Sequence, residues 1–500
     1  MKKFYYIIFI GFTFNVVLSQ EIPDAVRYAQ DNLNGTARFR AMGGAFGALG
    51  GDLSSINVNP AGSAIFSNNQ LTISLSTFNK KNDSNYFGTT TSDSENNFDM
   101  NQTGGVFVFK NHNPSSNWKK FSFAINYENT NDFDNSVFSA GVNPTNSVDK
   151  YFLNYANGVP LGLITSSNYS ELDNGAQQAY LGYEGYIINP VNEDSNNTAY
   201  TSNVTPGGNY YQENSIYSSG YNGKLSFNVA TSYKDKLYIG VNLNSHFTDY
   251  VQSTSFYESN RNNLGTDYTV TNLRFNNNLY TYGTGFSFQI GAIAKVTNEI
   301  RLGFAYDSPI WYNLSDEFSQ NLTAVSANIV EQLPADVVDP QIINYYAPYE
   351  LSTPNKFTGS FAYIFGKTGL ISIDYSYKDY GDTQFEPKND PYFRNLNAEM
   401  SNILKSSGEL RLGAEYKIQQ WSLRGGYRFE ESPCKNKTTI GDLNSFSGGL
   451  GYNFGMFKLD LSYTNGQRNS QQGFFNQGFT DGAKIKTTNN NFTMTLLFEM

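Results

Sequence analysis

Cysteine, histidine and long apolar runs are what this 500-residue chain has least of. One cysteine, Cys434, excludes an intramolecular disulfide framework. Two histidines, His112 and His246, leave no Ser/His/acid or metal-ligand spacing, so neither a hydrolase nor a metal or other cofactor is expected. No run of about twenty apolar residues follows the N-terminus, which removes a transmembrane helix. Charge is sparse at 16% of residues, and its net value of -10 argues against nucleic acid as a partner. Aromatic residues are abundant instead, with 37 Tyr and 39 Phe beside 44 Gly. The mean hydropathy of -0.46 reflects the many Asn, Ser, Thr and Gly residues. A strand-built membrane protein combines these properties, because only alternate strand residues meet lipid while the lumen and outer loops stay polar.

The N-terminus indicates export. Lys2 and Lys3 precede the apolar stretch Phe4 to Leu18, and Val17-Leu18-Ser19 fits a signal-peptidase site, so residues 1–19 read as a signal peptide. A single membrane anchor is the competing reading. At the other end Phe492, Met494, Leu496, Phe498 and Met500 alternate over ten residues. That is about the length of a tilted membrane-crossing strand. Taken alone, the segment equally fits an edge strand of a soluble sandwich.

The same period of two recurs along the chain. It begins at Leu71, Ile73 and Leu75, then passes Phe107 to Phe109 and Phe121 to Tyr127. It continues over 225–229, 237–243, 286–292, 300–306, 357–365, 371–377, 410–418, 421–429, 446–454 and 457–463. With the terminal strand the count is fourteen. Short turns such as 234–236, 297–299, 367–369, 419–420 and 455–456 alternate with long polar segments at 79–102, 128–215, 248–279, 309–354, 381–407, 430–443 and 465–489. Sorting short and long connections by side is the mark of an outer-membrane barrel, with tight periplasmic turns and extended outer loops. The pattern predicts an all-β, 14-stranded antiparallel transmembrane β-barrel over residues 69–500, with both chain ends on the periplasmic side. The location expected is the outer membrane of a Gram-negative bacterium, in contact with its lipid.

Charges opposite the apolar faces must point inward, because each would cost a few kcal/mol against lipid near mid-bilayer. Arg411, Glu415, Arg424, Arg428 and Asp460 are the candidates, either lining the lumen or gripping an internal plug. Residues 20–68 break the alternation and are rich in Gly and Ala. Such residues permit tight turns and close packing on a curved wall. They read as a plug, or hatch, folded into the lumen.

Ala41-Met42-Gly43-Gly44-Ala45-Phe46, Asp52 and Asn59-Pro60-Ala61-Gly62 resemble the start of the FadL family of outer-membrane channels for long-chain fatty acids and other hydrophobic compounds. The similarity recurs over 301–309, 409–416 and 421–429. It implies a fourteen-stranded barrel, an N-terminal hatch carrying Gly43, Gly44, Asn59, Pro60, Ala61 and Gly62, and passive uptake without an energy source. It also implies capture by outer loops and release through a side opening. Phe498 in the terminal strand resembles the signal read by the barrel-insertion machinery, although Met500 replaces the usual last aromatic residue.

The long segment 128–215, predicted to be a large extracellular loop with short helices, has two readings. Phe152, Leu153, Leu161, Leu163 and Ile164 line a groove that captures ligand, or they pack together as a cap. Two other functions remain open beside the channel: a shuttle or scaffold in protein secretion, and haem uptake. For haem, His112 and His246 are the only axial ligands of that type on offer.

Overall fold

A strand that faces lipid on one side and a filled lumen on the other must alternate residue by residue. The computed structural model describes residues 22–500, so the signal peptide expected at 1–19 lies outside the described residues. Fourteen strands follow this rule: β1 (Gln70–Tyr86), β2 (Thr89–Lys110), β3 (Trp118–Asp132), β4 (Tyr210–Tyr233), β5 (Leu237–Ser259), β6 (Thr269–Lys295), β7 (Ile300–Asp307, resumed at Trp311–Ala327), β8 (Lys356–Phe365), β9 (Gly369–Asp379), β10 (Ser406–Ile418), β11 (Trp421–Glu430), β12 (Ile440–Asn453), β13 (Phe457–Gly473) and β14 (Gly482–Glu499). Each pairs antiparallel with the next, and β14 closes on β1 with Leu71 opposite Phe498 and Ile73 opposite Leu496. The terminal segment is therefore the closing strand.

β13 shows the two faces clearly. Leu461 and Tyr463 are exposed toward lipid, while Asp460, Ser462 and Thr464 between and beside them are buried inward. Aromatic rings mark both rims of the apolar band. At the periplasmic rim Trp421, Tyr452, Phe454 and Phe457 contact in series, with ring centroids 4.5–4.7 Å apart. At the outer rim Tyr463 meets Phe492 at 4.8 Å and Tyr427 meets Phe446 at 5.0 Å. Aromatic rings favour these interfaces because one edge is apolar and the other tolerates water.

The strands run further outward than the hydropathy pattern predicts. β1 and β2 continue to a tight turn at Phe87-Gly88, so the segment 79–102 is mostly paired strand. β5 and β6 likewise extend through most of 248–279. Above the outer aromatic rim both faces are wet, so the apolar contrast ends while the backbone ladder continues. Asparagines support it there: Asn79 bonds Asn96 at 2.7 Å, and Asn465 bonds Asn490 at 2.7 Å. The ladder between β7 and β8 is interrupted at 308–310 and 353–355, where Pro309 and Pro354 have no N–H to donate.

The segment 144–205 forms a cap with helices at Asp149–Ala156, Leu161–Ser166 and Asn174–Glu184. A further helix, Pro391–Ile403, covers the β9–β10 connection. Met500 ends beside Asn69 at the periplasmic rim, its N–H donating to the Asn69 carbonyl at 3.0 Å. The described chain starts with a helix, Ile22–Ala29, that packs with Tyr250, Tyr312 and Phe393 in the outer half of the lumen.

Val241 sits on the lipid face between the rims, and Leu237 near its periplasmic edge. Val241→Arg is expected to destabilise the folded barrel in lipid vesicles by about 2–4 kcal/mol, and Leu237→Arg by about 0–1 kcal/mol. Denaturant unfolding in vesicles measures both.

Candidate functional site in the barrel lumen

The N-terminal segment fills the lumen, and its local sequence explains its shape. Short helices at Ile22–Ala29 and Ala37–Ala41 precede 3-10 turns at Leu53–Asn57 and Pro60–Ile65. Asp52 caps the first 3-10 turn, accepting from the Ser54 N–H at 3.0 Å, and also holds the Thr36 hydroxyl at 2.8 Å. Asn59 caps the second, where Pro60 at the first position sacrifices no hydrogen bond. The same Asn59 side chain donates to carbonyls of Gly47, Ala292 and Phe304 at 2.8–3.3 Å, which staples the segment to β6 and β7. Gly43 and Gly44 take positive φ of 61° and 76°, the left-handed conformation that favours glycine. Ala61 is fully buried, and Gly62 packs against Gly50 and Ser55.

The wall is cut to fit this segment. A Cβ at Gly240, Gly291 or Gly303 would overlap Pro60, Asn59 or Gly47. One at Gly413 would lie 2.6 Å from the Met42 carbonyl oxygen, and one at Gly449 2.6 Å from the Ala41 methyl. Between these strands Ser360 crowds Gly47, and the Asp374 carboxylate accepts the Gly47 N–H at 2.9 Å. Strands β5, β6, β7, β10 and β11 thus meet the segment almost backbone to backbone, β11 at Gly426, where a Cβ would lie 2.2 Å from the Gly43 nitrogen. Side chains hold it as well: Thr495 accepts the Ala37 N–H at 2.7 Å, Asn228 donates to the Pro60 carbonyl at 2.9 Å, and Asn242 donates to the Ile56 carbonyl at 2.8 Å.

The five inward charges fall into two buried clusters. Nearer the periplasm, Glu415 takes a two-pronged bond from Arg38 of the segment, at 2.8 and 3.2 Å, and pairs with Arg424 at 2.7 Å. Arg424 continues to Asp460 at 2.6 Å. Further out, Glu409 joins Arg411 and Arg428, and Arg428 also reaches Glu430 and the Asp31 carbonyl. Asp31 itself is forked between Lys356 and Lys378, at 3.0 and 2.9 Å. A buried charge without its partner is strongly destabilising, so these pairs fix the segment in one position. Sequence reasoning missed Arg38, Asp31 and the wall glycines. Inward glycines spaced along successive strands were the available clue.

Two cavities flank the segment. The outer one, about 130 Å³, is polar, with Lys224, Asn244, His246, Ser287, Lys356 and Arg411 among its walls. Asn244 Oδ1 and His246 Nδ1 face it without a hydrogen-bond partner among the described residues. The periplasmic one, about 400 Å³, is bounded by Gly50, Gly51, Ile65 and Phe66 of the segment and by Arg424 and Asp460. A larger hollow of about 700 Å³ lies against lipid-facing Phe365, Ile371, Tyr416 and Leu423. His112 is exposed on the periplasmic β2–β3 turn and His246 lines the outer cavity, so the segment separates the two histidines.

In the cap, Phe152, Leu161 and Ile164 are buried in an apolar cluster with Phe256, Phe275 and Leu322 of the strand extensions. Leu153 is partly buried against the same cluster, and Leu163 is exposed at 44%. Phe152, Leu161 and Ile164 therefore pack the cap and do not line an open groove. Glu258 on the outer end of β5 ties the cap down. It accepts from the Val148 N–H at 3.0 Å, from Gln212 at 2.7 Å and from the Ser147 hydroxyl. No cation pairs with it among the described residues, and burial pushes its carboxyl up to about 7.

A family model described as outer membrane protein transport protein (OMPP1/FadL/TodX) matches residues 185–495. Among solved structures, a Pseudomonas aeruginosa FadL homologue aligns with 94% of this chain and 99% of its own, at 13% identity and a TM-score of 0.52. The Pseudomonas putida toluene transporter TodX aligns with 94% of this chain and 100% of its own, at 12% identity and a TM-score of 0.52. At these identities the likeness is one of fold. No curated protein sequence matches the chain.

Gly291→Val is expected to leave the barrel folded but displace the lumen segment, raising single-channel conductance in planar bilayers well above that of the unaltered protein. For Glu258 the folded pKa lies above the ordinary carboxylate value, so the native cap holds its proton more tightly than the unfolded chain. Cap stability is then fully present below about pH 4.5 and falls as pH rises through 7, by roughly 3 kcal/mol at most. Hydrogen exchange over 144–205, corrected for intrinsic rates, is expected to speed up between pH 5 and 8 in the native protein and to lose that dependence in Glu258→Gln.

Proposed function

The chain belongs to the FadL/TodX family of outer-membrane transport proteins, channels for hydrophobic compounds, and we propose that it admits amphipathic cargo of the long-chain fatty acid kind past a hatch formed by residues 20–68. The observation that carries this reading is the pair of cavities separated by the fitted N-terminal segment. A continuous route through the lumen requires that segment to shift. Its fastenings are non-covalent, hydrogen bonds worth about 0.5–1.5 kcal/mol each and buried ion pairs, so a shift must be matched by new partners for Arg38 and Glu415.

The polar lining of the outer cavity supports cargo with a hydrogen-bonding head over bare hydrocarbon. Lys224, Lys356 and Arg411 line it beside their carboxylate partners Glu128, Asp31 and Glu409. Asn244 Oδ1 and His246 Nδ1 are polar atoms there without a partner among the described residues, which a polar headgroup could engage. An alkyl tail gains about 0.8 kcal/mol for each methylene it buries. That gain must stay modest at every stop, because a site that binds too tightly does not release. No chemical step is needed, and the proposal assigns no catalytic residue and no cofactor.

Ser63 on the segment and Ser122 on β3 have hydroxyl oxygens 2.9 Å apart. A Ser63→Cys/Ser122→Cys pair is expected, once oxidised, to fold normally and abolish oleate uptake by whole cells, with recovery on reduction. Uptake at the native rate with the bond formed would rule out the hatch as the gate. Toluene uptake measured in parallel tests the cargo: a rate exceeding that of oleate would overturn the amphipathic class.

A further inference from the structure

The periplasmic edge of β2 to β7 carries a charge opposite to that of the chain as a whole. The stretches 110–120, 231–239 and 293–301 hold seven Lys and Arg residues and two carboxylates, in a chain with 34 Lys and Arg against 44 Asp and Glu. Folding brings four of these lysines, Lys110, Lys119, Lys234 and Lys236, to one edge, while Lys120 and Lys295 turn inward toward the buried Tyr238. The turns are bonded to one another, since the Lys234 N–H donates to the Asn117 carbonyl and the Lys295 N–H to the Lys236 carbonyl, both at 2.7 Å.

None of the six makes an ion pair among the described residues. Lys119 and Lys120 donate to the carbonyls of Pro114 and Phe66. Lys120 and Lys295 sit 5.9 and 4.9 Å from one ring, that of Tyr238. Of the two carboxylates at this edge, Asp235 accepts from Ser232 and lies within electrostatic reach of the inward Lys120 and Lys295, and Glu299 accepts from Thr297. The outward lysines have no carboxylate of this chain as an ion-pair partner among the described residues, so an anion from outside the chain would be favoured beside them.

The level of the patch identifies the anion. Trp118 and Tyr233 meet edge to face at 5.2 Å on the lipid side, and Phe109 and Phe121 lie 6.1 Å apart beside them. This is the periplasmic aromatic rim, and Lys234 stands 5.5 Å from the Tyr233 ring. The exposed ammonium groups of Lys110, Lys234 and Lys236 are therefore at headgroup height. We propose that this patch is a binding surface for anionic phospholipid headgroups of the periplasmic leaflet. The phosphates complete the charge that the fold leaves open, and the rings above them take the upper acyl chains.

The test uses the full chain purified in detergent and titrated with phosphatidylglycerol or phosphatidylcholine of matched acyl chains, with bound lipid counted by native mass spectrometry. Phosphatidylglycerol is expected to bind in preference, and the preference to fall about five-fold for each lysine removed in Lys110→Gln, Lys234→Gln and Lys236→Gln. These three side chains are exposed, so the variants keep the fold. The outer-face set Lys388→Gln, Lys484→Gln and Lys486→Gln is expected to change nothing. Equal binding of the two lipids overturns the proposal, as does an equal loss in the outer-face set. An acidic protein that co-purifies in stoichiometric amount and is lost from the periplasmic set, with lipid preference unchanged, also overturns it in favour of a protein partner.

Discussion

Each strand of this barrel has two neighbours of incompatible chemistry, lipid outside and a folded polypeptide segment inside. A side chain reaches only one of them, and its parity along the strand decides which. The rest of the structure follows from that. Outward positions hold Leu, Ile, Val and Phe between two aromatic rims. Inward positions must satisfy a hydrogen-bonding backbone at close range, so they are Gly where the two backbones touch and Asn, Ser, Thr or a paired charge where they stand apart. Gly291 and Asn228 are two answers to one requirement.

The inward surface also explains why the segment is rich in small residues. Its own backbone polar groups are buried in the barrel and need partners. Side chains such as Asn59, Asp52 and Thr36 cap its short helices, while wall residues such as Asn242, Thr495 and Asp374 serve what remains. The ion chain from Arg38 through Glu415 and Arg424 to Asp460 adds a single preferred position, since moving Arg38 away strands a buried carboxylate. The segment thus divides the lumen, leaving a polar chamber on its outer side and a second cavity toward the periplasm.

Above the membrane a different balance holds. Both strand faces are wet, and the ladders of β1, β2, β5 and β6 continue through Asn, Ser and Thr that carry no hydropathy signal. The extensions gain a core where the cap folds over them and buries Phe152 against Phe275, and a smaller one where Tyr86, Ile216 and Ile485 meet. Helices as short as Leu161–Ser166 are marginal in isolation, so they exist because that shared cluster holds them.

The sequence by itself determined the strand count, the facing of each membrane residue, the compartment and the family, because lipid imposes a period of two on every crossing and the segment 41–62 carries a recognisable run of small residues. It also named Arg411, Glu415, Arg424, Arg428 and Asp460 as inward, since parity alone settles that. Only the tertiary structure decided which of them meet, because Glu415 and its partner Arg38 are 377 residues apart in the chain and are joined by barrel closure and the folding back of the N-terminal segment. It likewise decided that Phe152, Leu161 and Ile164 pack a cap, that the strands outrun their apolar stretches, and that scattered turn lysines become one patch. In each case the physical reason is the same: periodicity reports what surrounds a residue on average, and long-range contact depends on where the closed sheet carries it.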